Sequence, residues 1–236
     1  MEKLARANKY SASDRGPTNL GWLESHHTFS FGHFRNPDRM GYRSLRVLND
    51  DRVAPKGGFP PHPHRDMEIF SYVLSGALAH QDSMGNQREL RRGDLQLMSA
   101  GSGVTHSEFN PSSSEPTHFL QIWIEPSVLG APPRYDEQHF SDDQKRATWV
   151  LMLSPDGRDG SVEIRQDARV YSTILEDTAR IVRLEEGRYG FLHVADGEVF
   201  FEGDRLLAGD SLAFEGPAEF EIRAAGYGEV LFFDLA

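Results

Sequence analysis

No cysteine occurs among the 236 residues. Disulfides and thiolate ligands are thereby excluded, and any metal must be held by nitrogen and oxygen. Long apolar runs are also missing. Residues 69–74 and 230–233 are apolar but short, far from the roughly 20 residues that span a bilayer, so no membrane association is expected. The polar stretch from Met1 to Gly16 has no apolar segment of the signal-peptide kind, and a cytoplasmic location is the expectation. Cationic tracts are absent as well: 25 Lys and Arg face 36 Asp and Glu, a formal net charge of −11. That balance argues against direct nucleic-acid binding, in which Lys and Arg must replace counterions. Helical periodicity is scarce.

What remains is a β pattern. Most segments are short, rich in β-branched and aromatic residues, and bounded by Gly, Pro, Asn or Asp, as in sandwiches and barrels. Strands are expected at residues 44–48, 68–74, 94–98, 119–124, 191–194, 198–201, 211–214, 219–223 and 229–233. Turns are expected at Met84-Gly85-Asn86 and Glu202-Gly203-Asp204, and a short helix around residues 136–145. The proline-rich stretch 125–133 reads as a linker, because proline stops both ladders and helices. It separates an N-terminal domain, residues 1–130, from a C-terminal one, residues 131–236. The halves echo each other. Val73-Leu74-Ser75-Gly76 followed by Gly93-Asp94-Leu95 has its counterpart in Val194-Ala195-Asp196-Gly197 followed by Gly209-Asp210-Ser211. The fold class is therefore all-β, with two related β-domains.

Two short runs carry chemistry: Pro61-His62-Pro63-His64 and His106-Ser107-Glu108. Each pair is spaced i, i+2, which on a strand puts both side chains on one face. Two such pairs facing each other bring three imidazoles and a carboxylate to one point. Pro61 and Pro63 bracket His62, as is tolerated at a strand start or sheet edge. Gly101 and Gly103 precede the second pair and permit a sharp turn into it. Three imidazoles and one carboxylate suit Fe(II), Mn(II), Ni(II) or Cu(II). Zinc is possible, although a closed tetrahedral zinc site leaves no room for chemistry. The second half offers no such donors: Arg183, Leu184 and Glu185 stand where the paired histidines would fall. Among the other histidines, His80, His139 and His193 are expected at the surface or half-buried with local partners, while His26 and His27 pack over the barrel mouth. Of the segment 118–124, either His118 and Leu120 or Gln121 and Trp123 face the pocket. No substrate-binding residue is assigned from the sequence.

These residues, with their neighbours, resemble the cupin superfamily. The first motif is His62-Pro63-His64 followed by Glu68, and the second is Gly103-x-x-His106-x-x-x-Asn110. Within that superfamily the similarity is closest to the pirins, through Gly21-Trp22-Leu23, His27-Thr28-Phe29-Ser30-Phe31, His62 to Glu68, Gln81 to Asn86 and Gly93 to Asn110, with a weaker continuation at Ser154 to Gly160. The resemblance implies a bicupin, two jelly-roll-like β-barrel domains of which only the first keeps its metal. It implies iron held by His62, His64, His106 and Glu108. In many cupins the Glu of the first motif is itself a ligand, and on an unbulged strand Glu68 would share the parity of His62 and His64. The expectation here is Glu108 as ligand and Glu68 as acceptor of an imidazole N–H, with the exchange of the two as the alternative. Bacterial pirin-like proteins are associated with opening of the flavonol quercetin by O₂, a 2,3-dioxygenase reaction. On that model Glu108 also takes the proton of the substrate's 3-hydroxyl. Mammalian pirin is instead a transcriptional co-regulator with an iron that senses redox state, which makes a non-catalytic protein with a protein partner the alternative.

Overall fold

The computed structural model describes residues 7–236, most of them in strands. Two compact units result. One comprises Arg15–His139 and Ile164–Gln166; the other comprises Phe140–Glu163 and Asp167–Ala236 with the described residues up to Asp14. The all-β class expected from the sequence is what forms. Among the described residues no helix is long and apolar enough to cross a membrane.

The first strand, β1 (Asn8–Tyr10), pairs within the C-terminal unit. The N-terminal unit then runs through β2 (Gly16–Asn19), β3 (Leu23–His27), β4 (Leu45–Val53), β5 (Gly58–His64), β6 (Glu68–Ser75) and β7 (Ala77–Asp82). It is completed by β8 (Gln87–Arg91), β9 (Asp94–Ser99), β10 (Val104–Phe109), β11 (Thr117–Ile124) and β12 (Arg134–His139). Seven strands form one sheet in the order β12-β9-β6-β11-β4-β3-β2, and four form another in the order β5-β10-β7-β8. Alternation turns every second side chain toward the opposite sheet. Leu23, Val53, Val73 and Phe119 of the large sheet thus meet Leu78 and Leu90 of the small one. Ile69 and Met98 meet Val104 in the same way, with Trp123 packed against them. The apolar core occupies both ends of this interior and leaves a polar zone between them.

Several elements differ from the sequence-based expectation, each for a local reason. The helix expected at residues 136–145 is two elements, β12 and then α1 (Asp142–Ala147). Ser141 and Gln144 form a capping box that starts the helix only there. The proline-rich stretch is followed by β12, which returns to pair with β9, so the N-terminal unit runs past residue 130 to His139. Residues 191–194 and 198–201 belong to one strand, Tyr189–Phe201, bent by a register shift between Val194 and Asp196.

In the C-terminal unit the interior is filled with hydrocarbon. Val182, Leu184, Phe201, Phe214, Phe220 and Ile222 are all buried in one cluster. Arg183, one of the residues in place of the paired histidines, forms an exposed ion pair with Glu219 at 2.8 Å.

Phe119 is fully buried in the cluster that joins the two sheets of the N-terminal unit. Phe119→Ala is expected to cost about 3–5 kcal/mol, read as a lowered midpoint in urea unfolding.

Candidate metal centre

The antiparallel ladder between β5 and β10 sets His62 opposite His106 and His64 opposite Val104. Because side chains alternate, His62, His64 and His106 share the inward face. Their ring centroids lie 4.5 Å apart for His62 and His106, 4.8 Å for His62 and His64, and 4.9 Å for His64 and His106. One potential ligand nitrogen from each falls within 4.8 Å of the others. Farther along, Glu108 pairs with Phe59, so β5 carries one residue more than β10 there. That bulge falls at Pro60-Pro61, on an edge strand where a missing N–H is tolerated. It lets Phe59 point inward as His62 does. The turn into β10 depends on Gly101, whose φ is +46° and where a Cβ would lie 2.0 Å from the carbonyl oxygen of Ala131.

The imidazoles are poised as neutral ligands. His62 Nδ1–H donates to the Pro60 carbonyl at 2.8 Å, which leaves Nε2 with the lone pair. His64 Nε2 and both ring nitrogens of His106 are buried with no hydrogen-bond partner. Burial, followed by the charges His106 and His62 would carry, pushes His64 down to about 4. Burial, with His62 and His80 adding, pushes His106 down to about 3. Buried bare ring nitrogens on neutral imidazoles are costly unless something binds them, and a divalent metal is what such a set accepts.

Glu108 reaches into the same interior from β10 and is held by the large sheet. Its Oε1 accepts from Ser71 Oγ at 2.9 Å and Gln96 Nε2 at 3.0 Å, and its Oε2 accepts from Gln121 Nε2 at 2.6 Å. The carboxylate joins a second, overlapping group with His106 and His80, whose ligand atoms also lie within 4.8 Å of one another. His80, expected at the surface or half-buried with a local partner, is instead fully buried. It is 2% exposed on β7 and sits directly across from Glu108. Its Nε2 meets Asp82 at 3.4 Å, and its buried Nδ1 has no partner. Its own i, i+2 pair with Asp82 does not mark it as part of the cluster; pairing of β7 with β10 brings it beside Glu108. His193 is also buried, with Nδ1 against Ser211 Oγ at 2.9 Å, whereas His139 is exposed beside Asp94.

The role expected for Glu68 requires correction. Its carboxylate does not accept an imidazole N–H; it accepts from Ser99 Oγ at 2.7 Å and from the Arg165 backbone N–H at 3.2 Å. The parity argument fails because the chain turns between His64 and Glu68, with Asp66 at φ +48°. Glu68 therefore opens β6 in the other sheet, on the face opposite Ser71.

Beside the histidines lies a cavity of about 470 Å³. Its walls are largely apolar and include Leu23, Phe31, Phe59 and Trp123; His62, His64 and Glu108 line it, as do Gln121, Asn49 and Asp51. Gln121 and Trp123, not His118 and Leu120, are the inward pair of β11. His27 also lines the cavity. Its Nδ1 meets Asn49 Oδ1 and its Nε2 meets Thr18 Oγ1, each at 2.8 Å.

A family model described as Pirin matches residues 9–124, and one described as Quercetinase C-terminal cupin domain matches residues 151–235. A protein of Escherichia coli strain K12 named Quercetin 2,3-dioxygenase is 44% identical over 225 residues, covering 95% of this chain and 96% of its own length. A Pirin-like protein of Caulobacter vibrioides is 40% identical over 223 residues, covering 94% of this chain and 96% of its own. The crystal structure of bacterial pirin YhhW in complex with nickel(II) from Escherichia coli superposes with a TM-score of 0.91 at 42% identity, covering 98% of this chain and 99% of that one.

Glu108→Gln is expected to weaken metal binding roughly 100-fold or more, and Glu68→Gln to change it less than about threefold, in competition with a chelator. The metal-free protein carries a second signature. With folded values near 4 and 3, below the ordinary histidine value of about 6.5, the unfolded chain takes up protons first as pH falls. The stability contributed by His64 and His106 is full above about pH 6.5 and is lost toward their folded values. The melting temperature of the metal-free protein should fall more steeply between pH 7.5 and 5 in the wild type than in His106→Gln.

Proposed function

This chain belongs to the pirin family, and from that premise we propose that it is an iron-dependent dioxygenase that opens a flavonol such as quercetin with O₂. The names of its relatives support the reaction class. The observation that carries the reading on this chain is the cavity of about 470 Å³ beside three histidines with bare ring nitrogens. That volume suits a flat ligand of three rings, and its opening onto His62 and His64 favours catalysis over a sealed redox sensor.

The residues fit a metal. His62, His64 and His106 supply lone pairs, and Glu108 supplies the one anionic donor. A divalent metal held there supplies Lewis acidity toward a hydroxyl oxygen and the one-electron chemistry that O₂ requires. The chain's own contributions are positional. Pro60 holds His62 in one tautomer through its carbonyl. Ser71, Gln96 and Gln121 fix the plane of the Glu108 carboxylate, which takes the proton of the 3-hydroxyl at one of its oxygens. Phe31 and Trp123, with ring centroids 5.5 Å apart in an edge-on arrangement, give the aromatic body an apolar wall. Trp123 adds a buried Nε1–H that has no partner among the described residues. Together these surfaces keep water away from the activated ring.

Protein loaded anaerobically with Fe(II), then given quercetin and air, should consume O₂, bleach the visible absorption of quercetin and release carbon monoxide. His106→Ala should lower the rate at least about 100-fold. A rate no greater than that of the free metal, with iron, nickel, manganese and copper each tried, overturns the assignment.

A further inference from the structure

Strand β4 carries two adjacent acids that face opposite ways. Asp50 is saturated: His118 Nε2 meets it at 2.7 Å, and Arg15 and Arg52 each reach it at 3.1 Å. Asp51 points into the cavity and is 2% exposed. Ser25 faces it from β3, with its hydroxyl 3.3 Å from His27 Nδ1, and the Asp51 Oδ1 is buried with no partner among the described residues. Among the described residues no cation is paired with it. Burial, with the charges of Asp50 and Glu108 adding, pushes its carboxyl up to about 7. The polar neighbours on its side of the cavity are already committed. His27 is tied to Asn49 and Thr18, and Gln121 donates to Glu108. A bare carboxyl oxygen in an apolar-walled cavity is held at a cost, and what satisfies it is a hydrogen-bond donor brought by the ligand.

We propose that Asp51 is a second polar anchor of the cavity, its Oδ1 accepting from a ring hydroxyl other than the oxygens that meet the histidine cluster. The protein thereby selects polyhydroxylated flavonols over those bearing the 3-hydroxyl alone. This rests on the flavonol reading above and deepens it. A neutral amine or an alcohol satisfies the same oxygen, but the flat aromatic walls and the oxygen-seeking metal end favour a phenol. Because a hydrogen bond to a carboxyl is lost entirely when the ligand lacks the donor, discrimination of roughly tenfold or more is expected.

The experiment is a titration of nickel-loaded protein, under nitrogen so that no turnover occurs, with 3-hydroxyflavone, galangin, kaempferol and quercetin, which add hydroxyls in that order. In the wild type, affinity should rise by about tenfold at one step of that series; a flat series overturns the proposal and needs no variant. Asp51→Ala should erase that step while leaving 3-hydroxyflavone within about twofold and the nickel content unchanged. Asp51→Asn, which keeps an acceptor oxygen, should restore part of it. Removing an unsatisfied buried acid should also leave the melting temperature equal or higher. If the step persists in Asp51→Ala, or all four ligands weaken together, Asp51 is not the anchor. If the wild type binds none of the four, the flavonol reading falls and this inference with it.

Discussion

The register between β5 and β10 is the constraint on which the site depends. His62 stands opposite His106, and the period of two then fixes where His64 and Glu108 point. A slip of one residue would rotate the whole donor set to the outer face. Such a slip is resisted from both sides. β10 is an inner strand, paired with β7 as well as β5, and Val104 is packed against Ile69 and Met98 of the opposite sheet. The bulge at Pro60-Pro61 absorbs the mismatch along β5, so Phe59 joins the apolar wall without moving His62.

Glu108 shows how the two sheets are joined chemically as well as by packing. Its donors Ser71, Gln96 and Gln121 lie on β6, β9 and β11, three strands of the large sheet, whereas Glu108 itself belongs to the small one. Any change in sheet separation would break three buried hydrogen bonds to a charged group, each worth about 1.5–3 kcal/mol. A network of this kind is demanding of geometry. It places the carboxylate with more precision than an apolar contact would, and it couples the chemistry to the spacing of the sandwich. In the C-terminal unit Phe220 and Ile222 are buried in an apolar cluster instead.

Much of this was legible in the sequence because strand periodicity is local. The His62, His64 and His106 cluster follows from i, i+2 spacing on two strands. What was not legible depended on non-local pairing. His80 meets Asp82 within its own strand, but it comes beside Glu108 only because β7 lies next to β10. Asn49, Asp50 and Asp51 form a run whose alternation cannot be assigned to faces until β4 is set between β3 and β11. Glu68 was misplaced because parity was carried across a turn, where φ at Asp66 resets the direction of the chain. The helix start was displaced because residues 134–139 pair with β9 as a strand, and the capping residue Ser141 lies beyond them.

One feature of the histidine-bearing ribbon reaches beyond ligand placement. Strand β5 forms the border of the four-stranded sheet, and three of its seven residues are Pro60, Pro61 and Pro63. An unpaired border strand is normally a template onto which a neighbouring chain can add itself, seeding filaments or exchange of segments. Proline has no amide hydrogen to offer such a visitor. The same imino acids that shape the approach to the metal therefore keep separate copies of this protein from zipping together at that border.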